Sequence, residues 1–508
     1  MYTNLVEMLE QSCKKYWWKK ALLAEDRVVR YYKICKETNL LASSLEKVFD
    51  IKPQDKIAVL LGNSSVYPIV YFSILKIGAV VVPLNTFLKG EELKYIINNS
   101  GAVLLITSKE FLTEINEVRS DLVSLKNIIL TDNKNDVKGY VSLQEIMDKG
   151  NSDFVPRKIS PDSTAVIIYT SGTTGYPKGA MLTHENLVTN VKCCVDVCRV
   201  NKKDRLILVL PMFHSFTMTV CMLMPLAAGS GIVIASTLHQ FKKVFKSIVV
   251  RGVTVLVGIP SIYLLLARAS FPWWIRMLLK IRFCISGAAP LPETTLNEFQ
   301  KKWKIPLVEG YGLSEASPVV SLNPVYGVKK TNSVGLPLPG LEVKIVGPDE
   351  GEIPNGQVGE IIIKGKSIMK GYYNNEEATK ATLKNGWLFT GDLGFIDNDK
   401  YIHIVDRKKD MILVRGLNVY PREVENIIQE YQGVSEVAVI GKPDENKGEV
   451  PVAFVVPKNG FTINSSDILK YCRHKLADYK LPRNIYIKED LPRTPTGKIL
   501  KRELKTLV

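Results

Sequence analysis

The residues best equipped for chemistry cluster at 169–180, Tyr-Thr-Ser-Gly-Thr-Thr-Gly-Tyr-Pro-Lys-Gly-Ala. Thr170, Ser171, Thr173 and Thr174 supply hydroxyls, Gly172 and Gly175 allow close approach to the main chain, and Lys178 adds a positive charge. Exposed N–H groups and hydroxyls on such a loop surround phosphate oxygens, so the segment reads as a nucleotide phosphate clamp. A plain surface turn is the alternative for any Gly/Ser/Thr loop. The P-loop pattern G-x-x-x-x-G-K-[ST] does not fit, because Lys178 precedes Gly179 and Ala180 stands where a magnesium-binding hydroxyl would follow.

Further candidates lie along the chain. Residues 309–315 read Glu-Gly-Tyr-Gly-Leu-Ser-Glu. There Tyr311 offers a ring to stack on a purine, Ser314 a hydroxyl for a phosphate, and Glu315 a carboxylate for a magnesium ion bridging phosphate oxygens. A glutamate after a glycine turn is otherwise simply solvated. Asp392, in Thr-Gly-Asp at 390–392, is a good acceptor for two ribose hydroxyls, although aspartate is also a common turn former. His214, in Pro-Met-Phe-His-Ser-Phe at 211–216, is either packed in the core or faces a substrate carboxylate or the gate to an acyl pocket. Lys498 sits on a Gly-containing loop near the end of the chain, and its spacing alone assigns it no role.

These groups need a scaffold. The apolar, β-branched run 164–169 predicts a buried strand, and a helix is expected over 183–198, which puts the clamp between a strand and a helix. Strands at 56–61, 79–83 and 103–107 alternate with helices at 66–77 and 91–99, and strands at 205–210, 229–235, 254–259 and 282–286 continue the pattern. Such alternation implies a mainly parallel sheet covered on both faces. The stretch 217–228, with Met218, Cys221, Met222 and Met224, reads as a core helix that could also wall a ligand tunnel. From about 322, short strands with Gly/Pro turns predict a β-barrel-like subdomain. A charged junction at 404–413 is followed by a small α+β unit with a hairpin through 414–418 and a helix opened by Pro421. The expected fold class is therefore α/β. A large N-terminal domain over 1–405 holds parallel-rich, doubly wound sheets and the β-barrel-like subdomain at about 322–405. A hinge at 406–410 then leads to a small mobile α+β domain at 411–508.

Composition narrows the setting. At 508 residues the chain exceeds one core, which implies two or more domains. No apolar run reaches the ~20 residues of a membrane span, and the acidic start is not a secretory signal. Eight cysteines without a regular framework fit reduced thiols and a cytoplasmic protein; zinc at Cys193, Cys194 and Cys198 is the lesser alternative. The net charge of +16 is compatible with nucleic acid, an anionic membrane or anionic small substrates, but no basic-aromatic array of nucleic-acid type occurs. Trp273 and Trp274, interleaved with Arg276, Lys280 and Arg282, suit a peripheral contact at the inner face of a membrane as well as they suit an ordinary half-buried helix.

Taken in order, residues 169–180, 211–216, 286–290, 311–315, 390–392, 406–409 and 492–498 resemble the adenylate-forming superfamily over nearly the whole chain. Residues 309–324 and 385–409 look most like bacterial long-chain fatty-acyl-CoA synthetases. The resemblance implies that Thr170, Ser171, Gly172, Thr173, Thr174, Gly175 and Lys178 hold the β- and γ-phosphates of ATP, and that Ala288, Ala289, Glu309, Gly310 and Tyr311 line the adenine slot. It implies Ser314 at a phosphate, Glu315 and Thr174 at Mg²⁺, Asp392 at the ribose with Arg407 assisting, and Lys409 at the hinge. Lys498 would bridge the acyl carboxylate and the α-phosphate, with His214 and Glu315 completing the catalytic set. Arg415 and Gly416 would border the channel for CoA.

The expected activity is ATP-dependent activation of a medium- or long-chain fatty acid to acyl-AMP, with release of pyrophosphate, followed by transfer to CoA. The enzyme alternatives are an aryl-CoA or other acid–CoA ligase and an acyl-AMP ligase loading a carrier protein. An adenylation module for an amino acid would usually supply an acid for the substrate's amine beside 211–216, and Phe213-His-Ser offers none. From another class, a non-catalytic lipid- or nucleic-acid-binding protein is disfavoured by the intact Lys178, Glu315, Asp392 and Lys498. The oligomeric state is left open, a dimer included.

Overall fold

A computed structural model describes residues 2–508 apart from 133–138, 171–175, 237–240, 273, 416, 445–447 and 494–498. Two large sheets form the body. In the first, strands Lys56–Leu60, Val80–Pro83, Leu104–Thr107, Asn127–Leu130, Val141–Ser142 and Thr164–Thr170 run parallel, and Lys178–Thr183 and Gly371–Tyr372 extend the edge antiparallel. In the second, Lys20–Leu23, Gly231–Ile234, Arg205–Leu208, Val255–Gly258, Phe283–Ser286 and Leu307–Gly312 run parallel, with short antiparallel strands at both edges. The parallel strands are apolar on both faces, as sheets covered on both sides require: Val81, Val82, Ala165, Val166, Ile207, Val257 and Ile285 are all at most 3% exposed.

One expectation is corrected here. The segment after the 171–175 loop is not yet helix. Residues Lys178–Thr183 return as a strand antiparallel to Thr164–Thr170, with Thr170 opposite Lys178, so the two strands form a β-hairpin. The helix follows as His184–Cys198, and Thr183 caps it reciprocally: its Oγ1 accepts from Asn186 N at 3.1 Å while Asn186 Oδ1 accepts from Thr183 N at 2.8 Å.

A third sheet, Leu341–Val346, Gly359–Gly365, Trp387–Ile396, Leu383–Lys384 and Ile402–Arg407, is wholly antiparallel and forms a half-barrel. The last sheet, from Ile412 to Ile487, packs under helices Pro421–Gln429 and Ser465–Arg473 around Val424, Ile428, Val439, Val455 and Ile468. The molecule is thus a large α/β body with a half-barrel and a small C-terminal α+β unit.

The buried apolar stretch after 216 is a π-helix, Thr217–Leu223, continued by the α-helix Met224–Ala228. The expected helix around 271–282 shrinks to one turn, Ile275–Leu278. Ile275, Leu279 and Ile281 pack on the core while Trp274, Met277 and Leu278 face out. Trp273 lies outside the described residues. No described helix is long and apolar enough to cross a membrane.

Candidate active site

Parallel strands deliver their C-terminal ends to one side of a sheet, which is where open α/β folds bind ligands. The segments after Thr164–Thr170, Arg205–Leu208, Phe283–Ser286 and Leu307–Gly312 carry the predicted groups.

Glu315 forms one corner. It is the middle residue of a 3-10 turn, Ser314–Ala316, just past strand Leu307–Gly312. Its Oε1 accepts from Tyr372 OH at 2.9 Å and lies 3.5 Å from Thr170 Oγ1, while Met369 N donates to its main-chain carbonyl at 2.8 Å. Lys178 Nζ lies 5.4 Å over the ring of Tyr372. Burial and the neighbouring Glu315 carboxylate push the Tyr372 phenol up, so it remains a donor. The carboxylate is therefore held by neutral hydroxyls, with no cation paired to it among the described residues. A hard oxygen site with an unneutralised carboxylate beside the hairpin predicted to hold phosphate fits Mg²⁺. Ser171, Gly172, Thr173, Thr174 and Gly175 lie outside the described residues.

A second corner joins the half-barrel to the second sheet. Asp392 Oδ2 accepts from Tyr311 OH at 2.6 Å, and its Oδ1 pairs with Arg407 Nε at 3.2 Å. The half-barrel register sets this up by placing Asp392 opposite Arg407. Next to Tyr311, Glu309 Oε1 accepts from Leu291 N at 3.0 Å. That bond ties the turn holding Ala288 and Ala289 to the neighbouring strand, which continues through Gly310; Ala288 adopts a left-handed φ of +66°. Burial raises the Glu309 carboxyl to about 7, partly opposed by Arg422 from the C-terminal unit. Among the described residues this is a narrow edge of strand ends and small side chains, suited to a flat base with a ribose beyond it.

The third corner is 211–216. Ser215 and Ser314 hydroxyls hydrogen-bond at 2.9 Å, so the phosphate candidate Ser314 has a partner that the sequence did not indicate. His214 Nδ1 accepts from Phe216 N at 3.3 Å, which leaves the proton on Nε2, and burial pushes its pKa down to about 4. His214 is therefore a neutral donor and not a positive charge for a carboxylate. The ring of Phe216 lies directly on Gly287: a Cβ there would come 2.9 Å from Phe216 Cζ. On either side of this contact in sequence, Thr217 Oγ1 and Ser286 Oγ are buried without a partner among the described residues.

At the junction, Asp406 Oδ1 accepts from Arg407 N and Oδ2 from Arg422 N, each at 2.8 Å. Lys408 Nζ pairs with Glu360 Oε2 at 2.8 Å, and Lys409 follows it, exposed. Arg415 is exposed at a left-handed φ of +51°. Gly416 and Lys498 lie outside the described residues; the flanks of the latter's loop pair as Arg493 and Ile499.

Sequence reasoning missed Tyr372, Ser215 and Arg422. Tyr372 reaches Glu315 only because the two-residue strand Gly371–Tyr372 pairs with Lys178–Thr183, a contact that local spacing does not signal.

Comparison with known proteins fits this geometry. The AMP-binding enzyme family profile matches residues 9–373, and that of the AMP-binding enzyme C-terminal domain matches 423–498. The chain belongs to the AMP-binding enzyme family. It is 32% identical to the long-chain-fatty-acid–CoA ligase of Escherichia coli O6:H1 over 99% of this chain and 94% of that protein. It is 34% identical to a feruloyl-CoA synthase of an Amycolatopsis species over 94% of this chain and 93% of that one. It superposes on the crystal structure of ATP-bound MatB from Rhodopseudomonas palustris with a TM-score of 0.92, at 31% identity, covering 100% and 99% of the two chains. The reaction class is that of the AMP-forming acyl-CoA ligases, whose members here include both fatty and aryl acid names.

Proposed function

We propose that this AMP-binding enzyme activates a medium- or long-chain fatty acid as its acyl-adenylate and passes the acyl group to CoA. The observation that carries the reading is the convergence on Glu315 of the phosphate hairpin, through Thr170, and of Tyr372, with Lys178 over the same ring. The fatty acyl assignment is supported by 32% identity to the Escherichia coli ligase over nearly the whole chain.

The chemistry follows from charge. A carboxylate must approach the α-phosphorus of a polyanion, so positive charge and aligned donors have to offset the repulsion and stabilise the in-line displacement. Lys178 and residues 171–175 would hold the β- and γ-phosphates, and Ser314 would donate to phosphate, while Tyr311, Ala288, Ala289, Glu309 and Gly310 would seat the adenine. Asp392, fixed by Tyr311 and Arg407, would exchange one of these partners for the ribose hydroxyls. Mg²⁺, held by Glu315 and Thr174, would neutralise phosphate charge. Lys498 would meet the acyl carboxylate and the α-phosphate, and neutral His214 would donate Nε2–H towards the acid.

Once pyrophosphate has left, the C-terminal unit, 411–508, would turn about Lys409, withdraw Lys498 and bring Arg415 and Gly416 to the site, where the CoA thiolate displaces AMP. The outward-facing Trp274, Met277 and Leu278, with Arg276 and Lys280, support a peripheral contact with an anionic membrane. In liposome co-sedimentation, undiminished binding of Trp274→Ser plus Met277→Ser would remove that patch from the account.

An aryl acid is the second reading, favoured by the 34% identity to the feruloyl-CoA synthase. Pyrophosphate release across fatty, aryl and amino acids, with and without CoA, separates the two. Turnover confined to aryl acids would replace the fatty acyl assignment.

A further inference from the structure

Helix Pro421–Gln429 of the C-terminal unit begins against the half-barrel. The amides of its first turn have no partner inside the helix, and the side chain of Tyr420, the residue before it, caps none of them. One amide is served across the junction. Asp406 Oδ2 accepts from Arg422 N at 2.8 Å, while Oδ1 of the same carboxylate accepts from Arg407 N at 2.8 Å. Asp406 is thus a helix cap supplied from outside the unit, and its charge suits the positive end of the helix. The half-buried Arg422 side chain makes a second tie, its Nη1 donating to Ile404 O at 3.0 Å. Ile404 and Asp406 both belong to strand Ile402–Arg407 of the half-barrel. Apart from the hinge turn itself, where Met411 N donates to Arg407 O, these two bonds are the hydrogen bonds joining 411–508 to the rest of the chain among the described residues. One residue therefore carries the polar connection between the two units.

The same helix face holds the chain just after the Lys498 loop. Glu425, three residues beyond Arg422 and on its side of the helix, pairs through Oε1 with Lys501 Nζ at 2.7 Å and accepts from Val439 N at 2.8 Å. Lys501 follows Lys498 by three residues. Docking Arg422 on the strand thus brings Lys501 to the strand end whose Arg407 pairs with Asp392 at 3.2 Å. The hinge is anchored separately. Lys408, just before Lys409, is held on the half-barrel by Glu360 Oε2 at 2.8 Å and by its own N–H to Gly391 O at 2.9 Å. A turn about Lys409 therefore leaves Lys408 in place and parts Arg422 from both of its acceptors.

We propose that Arg422 is a positioning residue that latches the C-terminal unit in the orientation for acyl-adenylate formation, and that its release from Ile404 and Asp406 frees the unit for thioester formation. The inference rests on the two-step reading above, with rotation about Lys409. The latch favours the first half-reaction because it holds Lys501, and with it the chain that leads back to Lys498, beside the ribose corner. It opposes the second half-reaction because Arg415 and Gly416 reach the site only after the unit has turned.

The test reads the latch and the two half-reactions separately, on the full chain. Arg422→Met keeps the stem and the helix but loses the donor to Ile404, whereas Arg422→Lys keeps a donor. A hydrogen bond from a charged, partly exposed donor shifts an equilibrium about tenfold. Hydrogen exchange resolved by fragmentation mass spectrometry follows the amide of residue 422, which is protected by Asp406 and not by the helix. In Arg422→Met that amide should exchange about tenfold faster than in wild type, while the amides of strand Gly448–Pro457 stay unchanged. ATP–pyrophosphate exchange with a fatty acid should slow, by up to about tenfold, while thioester formation from supplied acyl-AMP and CoA should hold or rise. Arg422→Lys should lie near wild type in both. Equal slowing of the two half-reactions, or an unchanged residue-422 amide, would overturn the latch. A wild-type protein that exchanges pyrophosphate with no fatty or aryl acid would remove the two-step reading instead, and an unchanged amide in Arg422→Met would still overturn the latch on its own.

Discussion

Replacing Glu309 by glutamine should stabilise the protein, and only above a definite pH. The carboxyl is 8% exposed, and burial raises it from 4.5 to about 7 even with Arg422 opposing. Below pH 4.5 it is neutral in both folded and unfolded states, so folding carries no penalty from it. Between 4.5 and 7 the unfolded chain ionises first, and the native state then holds a proton that the unfolded state has released. Stability tied to the neutral form is thus fully present below 4.5 and lost as pH rises through 7. At about 1.4 kcal/mol per unit, the loss at pH 8 is about 3 kcal/mol. Glutamine keeps an acceptor for the Leu291 N–H and does not titrate. For 508 residues the unfolding entropy is about 1 kcal/mol/K, so Glu309→Gln should melt about 3 °C above wild type at pH 8 and level with it near pH 5. Differential scanning fluorimetry of the two proteins from pH 5 to 8 reads this directly. A difference independent of pH, or one that grows towards acid, would refute the buried-carboxyl argument.

Other perturbations have equally definite outcomes. Tyr372→Phe removes a hydrogen bond to the Glu315 carboxylate, about 1.5–3 kcal/mol for a charged acceptor, and should weaken ATP–pyrophosphate exchange about 10- to 100-fold, most severely at low magnesium. Asp392→Asn keeps the Tyr311 contact but loses the ion pair with Arg407, and should raise the KM for ATP more than it lowers kcat. Lys498→Ala should abolish acyl-AMP formation yet spare thioester formation from supplied acyl-AMP; equal loss of both half-reactions would contradict its role. Because His214 is already neutral above about pH 4, His214→Asn should leave the pH dependence of adenylation unchanged between pH 6 and 8 while lowering its rate.

Much of the body was legible because its signals are local. The strand ending at Thr170 is an unbroken apolar run, and the helix His184–Cys198 announces itself by the Thr183 cap and its amphipathic repeat. The intervening strand was not legible: Lys178–Thr183 is short, begins Lys-Gly, and is a strand through its pairing with the distant Gly371–Tyr372 as well as with Thr164–Thr170. Asp392 and Tyr311 could be nominated separately by residue type, but their 2.6 Å contact depends on a half-barrel sheet meeting the edge of another, which no spacing encodes. The π-geometry of Thr217–Leu223 was hidden for a different reason. That stretch is buried on every side, so it has no polar face from which a period could be read.

The central claim is attack by the carboxylate on the α-phosphorus, and isotope tracing tests it most directly. A long-chain fatty acid whose carboxylate carries heavy oxygen, incubated with ATP, Mg²⁺, CoA and the enzyme, should yield AMP bearing one heavy oxygen and pyrophosphate bearing none. Heavy oxygen in pyrophosphate, or unlabelled AMP formed alongside acyl-CoA, would contradict the account.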